Sequence, residues 1–339
     1  MYITNAFFRI FSSIADRGIV PRESVNRLID EACRIISHIY RIQDGFILQH
    51  INNNINMYVI SKISELILTR KIYDSLNQES GLVNKALDST LDNIHMYEYF
   101  SVIDLMSFSL GRGIAFLENA INSRVSTEEK RSVDERTNAF SENEFPIDYR
   151  QHLIDRIEKS DAEGKSICMC TILDDTSESV FDLLWIQKII RENRFLKVIL
   201  LVNTAQISIN FTSSMLEKIF LHRSFNYLAS KLGDQFFVCK TFCPLISFQA
   251  NLLQEEALQL IDQSDFLYVK GLNFFETCQV KKKDAYYAYV VYGPIARLYS
   301  GLSDYSPIFA YVPRDREGYV HNKDKQKIIS LIDCIGTLH

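Results

Sequence analysis

The 339-residue chain has only 12 glycines, 6 prolines and a single tryptophan. It has no apolar stretch of the roughly 20 residues a membrane-spanning helix needs, and no excess of positive charge. Its net charge of −5 argues against the basic face of a nucleic-acid-binding protein. The densest basic run, Lys281-Lys282-Lys283, reads as a solvated turn. The first 14 residues carry one arginine and no small-residue cleavage site, so no secretory signal peptide is expected. Seven cysteines (33, 168, 170, 239, 243, 278 and 334) form no regular framework, and Cys239 and Cys243 lack the spacing of a zinc site. Buried, reduced thiols in a cytoplasmic protein are the expectation. What is present suffices for a full core: 47% hydrophobic and 23% charged residues describe a folded chain.

The first 125 residues carry apolar stripes at helical spacing. Val25, Leu28, Ile29, Cys33, Ile35, Ile36 and Ile39 define a helix over 24–42. Met57, Val59, Ile60, Ile63, Leu66 and Ile67 define another over 55–76. Helices over 82–93 and 97–123 complete the bundle. Glycine and proline are nearly absent here, as a helical bundle requires. Residues 126–145 form a charged linker (Glu128, Glu129, Lys130, Arg131, Asp134, Glu135, Arg136). A second domain spans 146–339. It opens with a helix over 146–158 and then alternates. Strands are predicted at 167–173, 197–202, 236–239, 266–269, 288–292 and 308–312. Helices are predicted at 179–193, 213–221 and 251–263. The fold class is therefore α/β: a helical N-terminal domain followed by a three-layer α/β/α domain with a mainly parallel sheet.

The most informative segment joins the strand at 167–173 to the helix after it. Two adjacent carboxylates, Asp174 and Asp175, lie at the strand's carboxyl end, followed by Thr176-Ser177-Glu178 and, a turn later, Asp182. In open parallel sheets ligands and metals bind at this end of the strands. Two acids side by side repel and lose solvation, which folding alone does not reward; a divalent cation would. Two further loops at the same end carry Asn210, in Ile209-Asn210-Phe211-Thr212, and Lys270-Gly271. Two carboxylates and an amide oxygen are a hard donor set suited to Mg²⁺ or Mn²⁺. A lysine beside such a cation suits a phosphate oxygen, and Gly271 permits close backbone approach.

These segments resemble the damage-control phosphatase family, also called the DUF89 or acidic-residue-methyltransferase-like family. Its signature reads Asp-Asn-Ala-Gly-Glu, then apolar residues, then Phe-Asp-Leu-Leu. Here the sequence is Asp174-Asp175-Thr176-Ser177-Glu178 followed by Phe181-Asp182-Leu183-Leu184. Asn210-Phe211-Thr212 is similar to the family's Asn-Asp-x-Thr or Ser-Asp-x-Thr. Asp265 through Lys270-Gly271, with Phe275-Glu276-Thr277 behind, is similar to its Lys-Gly segment. Ala296-Arg297-Leu298 with Gly301-Leu302 is similar to a late family segment. The likeness runs from 167 to 311. It implies a metal-dependent phosphatase acting on a small phosphorylated metabolite. Asp174, Asp175 and Asn210 would hold Mn²⁺, with Mg²⁺, Co²⁺ or Ni²⁺ as alternatives. Lys270, Gly271 and Arg297 would bind phosphate, and Asp175 would help deprotonate the attacking water. The chain reads Asp-Asp…Asn where the family reads Asp-Asn…Asp, an exchange that keeps the same donors and charge. A one-residue slip of that alignment would put Phe211 on the ligand position. The alternative is a diverged member that binds a ligand or partner, or does other metal chemistry. Carboxyl methylation is disfavoured, because no glycine-rich loop for a methionine-derived cofactor is found.

Glu178 either orients a metal-bound water or favours a helix N-terminus. Asp182 is read as supporting the metal ligands or capping backbone groups, Trp185 as packing, and His222 as a surface residue. Tyr286, Tyr287, Tyr289 and Tyr292 are read as strand or pocket lining.

Overall fold

The structure is a computed structural model that describes residues 8, 11–12, 15–16, 21–30, 81–111, 145–204, 210–241, 253–277, 283–291 and 300–314. The predicted helix over 55–76, the linker over 126–144 and Arg297 lie outside the described residues, as does most of the predicted helix over 24–42. Of that helix, 25–30 is helical, behind a 3₁₀ turn at Arg22–Ser24.

Among the described residues, seven strands form one sheet in the order β1-β7-β6-β5-β2-β3-β4. They are β1 (Ile147–Asp148), β2 (Ile167–Ile172), β3 (Leu196–Asn203), β4 (Phe236–Thr241), β5 (Phe266–Lys270), β6 (Asp284–Val290) and β7 (Pro307–Val312). All neighbours run parallel except β6 and β7. The architecture is the mixed α/β fold with a mainly parallel sheet that the alternating pattern predicts. The central strands bury both faces, so they read as continuous apolar runs instead of alternating ones.

The helices around the sheet, among the described residues, are α1 (Gly81–Asn93), α2 (residues 102–111), α3 (Arg150–Ala162), α4 (Thr176–Glu192), α5 (Ser213–Phe220), α6 (Asn226–Ser230), α7 (Glu255–Gln263) and α8 (Leu272–Thr277). From β2 the chain passes to β3 and β4 through α4, α5 and α6, which pack on one face of the sheet. It then returns through α7 on the opposite face to place β5 on the other side of β2. Right-handed crossovers force that change of face when the direction of winding reverses. The reversal sets a crevice between β2 and β5 at their carboxyl ends.

α1 and α2 join the same core as α3–α6: Leu87, Leu91, Val102, Leu105 and Met106 pack in one cluster with Phe181, Trp185 and the sheet residues Met169, Leu200 and Tyr268. Tyr97, Phe108 and Phe181 stack edge to face or tilted around that seam. Arg150 adds a polar tie. Its guanidinium is held by both oxygens of Asp148 at 2.9 and 2.7 Å, and it donates to Ser107 Oγ on α2.

Several predicted boundaries change. The helix expected over 146–158 is a two-residue strand, β1, followed by α3 starting at Arg150; pairing with β7 extends this stretch. The helix expected over 97–123 starts late, and its part from 112 onward lies outside the described residues. Ile94–Tyr97 is a 3₁₀ turn, and α2 begins after Ser101, whose backbone N–H and hydroxyl meet Asp104 Oδ2 at 3.1 and 2.6 Å while Asp104 N–H returns to Ser101 Oγ. This reciprocal cap fixes a helix start that continuous periodicity conceals. The strand expected at 288–292 is β6, 284–290. It takes in Tyr286, Tyr287 and Tyr289, which are core residues of a strand. The helices α6 and α8 were not anticipated. Among the described residues, no helix is long and apolar enough to cross a membrane.

Candidate active site

β2 ends at Ile172 and delivers Asp174 and Asp175 directly into the β2–β5 crevice. Asp175 is the N-cap of α4: its Oδ1 accepts from Ser177 N–H at 2.8 Å and from Ser177 Oγ at 3.0 Å. Its backbone carbonyl accepts from Ser179. One aspartate is thus clamped by the start of the helix it precedes.

The segment after β3 comes back to this tip. Asn210 forms an isolated antiparallel bridge with Asp175, Phe211 N–H donates to the Asp174 carbonyl, and Thr212 bridges Asn203 of β3. Asn210 is buried beside the aspartate pair. Phe211 is buried in the hydrophobic core with Met215 and Leu216. Of these two neighbours, Phe211 is taken up by the core, which leaves Asn210 as the one whose side chain carries an oxygen.

β5 contributes Lys270 and Gly271. Lys270 is fully buried, and its ammonium forms an ion pair with Glu178 in the first turn of α4. It has no other hydrogen-bond partner among the described residues. Gly271 has φ +95°, in the left-handed region, and a Cβ there would stand 2.5 Å from both Cβ and Cγ of Asp174. The glycine is required twice, by its backbone and by the aspartate lying against it. The three loops therefore bring Asp174, Asp175, Asn210, Glu178, Lys270 and Gly271 together.

The electrostatics follow from burial. Asp174 is raised to about 7, first by burial and then by Asp175 beside it, with Lys270 opposing. Burial also raises Asp175, against its two bonds from Ser177. Lys270 is lowered to about 7 by burial, opposed by the two aspartates. Each charge is held where water cannot solvate it, so each charged form is disfavoured.

Asp182, read as supporting the metal ligands or capping backbone groups, is held by side chains. One turn below Glu178, it is fully buried and contacts neither Asp174 nor Asp175 through a hydrogen bond. Its Oδ1 accepts from Trp185 Nε1 at 3.0 Å and from Tyr268 OH at 2.9 Å, and its Oδ2 meets Ser109 Oγ of α2 at 3.0 Å. Burial raises it to about 7 against those three donors. Residues four apart on α4 thus meet residues two apart on β5: Glu178 on Lys270, and Asp182 on Tyr268. The spacings match, about 6 Å along a helix face and about 6.6 Å along a strand. Trp185 packs edge-on against Tyr268, with ring centroids 5.1 Å apart, so its indole is a hydrogen-bond donor as well as packing. Ser109 and Tyr268 carry no local sequence signal, because only the tertiary fold pairs them with Asp182. His222 is half-buried and caps a 3₁₀ turn through Ser224 N–H.

No family model and no curated protein matches the sequence. Among solved structures, a DUF89 family protein from Pyrococcus horikoshii matches with a TM-score of 0.63 at 13% identity, over 93% of this chain and 98% of that one. The chain has a DUF89 fold. In this DUF89 fold the candidate site occupies the switch point between β2 and β5.

The donor chemistry at that point is of the kind a divalent cation would take. Among the described residues no three His, Cys, Asp or Glu side chains gather into a metal-binding group, so a cation held by Asp174 and Asp175 would need a further donor such as the amide of Asn210, whose backbone bridges Asp175. All three are hard oxygen donors. Counted ionised, Asp174, Asp175 and Glu178 against Lys270 leave two negative charges in excess, which one divalent cation would neutralise.

Proposed function

We propose that the protein is a metal-dependent phosphatase acting on a small phosphorylated metabolite. The observation that carries this reading is the convergence, at the β2–β5 switch point, of Asp174, Asp175 and Asn210 with the buried ammonium of Lys270. Asp174, Asp175 and Asn210 would hold Mn²⁺ or a similar ion. Such an ion polarises a phosphoryl group and makes water a usable nucleophile near neutral pH. Asp175, fixed by its cap bonds, holds one carboxylate oxygen steady and leaves the other for a metal or for the proton of an attacking water. Lys270 supplies a cation to the phosphate oxygens. Gly271 keeps the β5 backbone close enough for Asp174 to lie against it.

The test is hydrolysis of p-nitrophenyl phosphate and a panel of sugar phosphates with Mn²⁺, Mg²⁺, Co²⁺ or Ni²⁺ added. Turnover that needs metal and is lost in Asp174→Ala and Lys270→Ala supports the reading. Activity surviving Asp174→Ala overturns that residue's role. Metal binding with no turnover on any phosphate points to a diverged ligand-binding protein.

A further inference from the structure

We propose that Glu178 is an internal competitor for Lys270, a carboxylate held where an anionic ligand must bind, and so sets which anions the site accepts. This rests on the phosphate-site reading above and deepens it. Three observations carry it. The Lys270 ammonium is fully buried and makes an ion pair with Glu178, with no other hydrogen-bond partner among the described residues. Glu178 is the more exposed member, its side chain 12% accessible against 0% for Lys270, so the carboxylate is the group that can leave toward solvent. Finally, the register between α4 and β5 is fixed one rung below by Asp182 with Tyr268 and Trp185, so the pair forms without any ligand to organise it.

Charge decides what can displace Glu178. Counted ionised, the cluster carries two excess negative charges, so an anion arriving alone meets net repulsion. With a divalent cation at Asp174, Asp175 and Asn210 the count is neutral, and a doubly charged phosphate outcompetes a single carboxylate for the ammonium. A singly charged anion such as chloride or acetate offers Lys270 no more than Glu178 already does. Glu178 thus makes phosphate capture depend on the metal and screens out weakly charged anions.

The experiment titrates inorganic phosphate into the Mn²⁺-loaded protein by calorimetry, comparing wild type with Glu178→Gln and Glu178→Asp. Glu178→Gln is expected to bind phosphate roughly tenfold tighter or more, and to bind acetate measurably, because a charge close to the ammonium has been removed. Glu178→Asp keeps the charge on a shorter stem and is expected to lie between the two. Wild type that binds phosphate while both variants bind it equally or more weakly overturns the inference: Glu178 then positions Lys270 and does not compete with the anion. Absence of phosphate binding in wild type and variants alike overturns the phosphate-site reading, and the inference falls with it. Should Glu178→Gln fail to fold, the Glu178→Asp titration decides the matter alone.

Discussion

Replacing Gly271 by alanine tests the geometry at the centre of the site. Gly271 has φ +95°, and an added Cβ would sit 2.5 Å from Cβ and Cγ of Asp174, well inside the 3.4 Å at which ordinary contact begins. Two costs follow. Holding an L-residue in the left-handed region costs about 1–2 kcal/mol, and forcing a carboxylate-bearing neighbour aside costs about 1–3 kcal/mol more. Gly164 supplies the control. It has φ +64° with nothing within 4 Å, and it ends α3 in a Schellman motif, with Gly164 N–H on the Asp161 carbonyl and Lys165 N–H on that of Ser160. Gly164→Ala therefore carries only the backbone cost. In urea titrations Gly271→Ala is expected to lose about 1–3 kcal/mol more than Gly164→Ala. The same displacement moves Asp174, so Mn²⁺ affinity and phosphatase turnover are expected to fall in Gly271→Ala and to hold in Gly164→Ala. Equal losses of stability in the two variants, or unchanged Mn²⁺ binding in Gly271→Ala, would refute the apposition of Asp174 and Gly271.

Three other outcomes are expected. Asp182 is raised by burial from its ordinary value to about 7, so its protonated form favours the fold; the contribution is full below about pH 4 and is lost as pH rises to 7. Asp182→Asn, which supplies an amide donor to Ser109 and keeps an acceptor for Trp185 and Tyr268, should flatten the stability profile across that window, and thermal melts from pH 4 to 8 measure it. Asp175→Asn keeps the helix cap but loses a charged donor, so it should abolish the Mn²⁺-induced rise in melting temperature with little change in the metal-free melt. Asp175→Ala should lose the rise and also about 1 kcal/mol of basal stability. Ser101→Ala removes the reciprocal cap of α2 and should cost about 1 kcal/mol in denaturant titrations.

The parallel strands were legible because burial on both faces leaves unbroken apolar runs, as in Val198–Val202. The gathering of Asp174, Asn210 and Lys270 was legible because parallel strands put all their carboxyl-terminal loops at one edge of the sheet. The errors lie where tertiary contacts override the local pattern. β1 is extended only because β7 pairs with it, and nothing near Ile147 announces that partner. β6 was placed four residues late, since Tyr286 and Tyr287 are buried on opposite faces and show no alternation. The start of α2 was written in Ser101-Val102-Ile103-Asp104, a capping box hidden inside a continuous apolar stripe. Asp182 was read as supporting the metal ligands or capping backbone groups; sequence shows its place on α4 but not the three side-chain donors around it, which come from α2, α4 and β5.

The pairing of Ile147 with Ile308 joins the first and last strands of the sheet. During synthesis β1 must wait, unpaired, until almost all of the described chain has left the ribosome. β7 lies between β6 and β1, so the described sheet is complete only once β7, the last of its strands in sequence, is in place. A contact spanning so much sequence is slow to form. Shortening the chain ahead of residue 307 would leave the outer edge of β6 bare and prone to pair with other molecules.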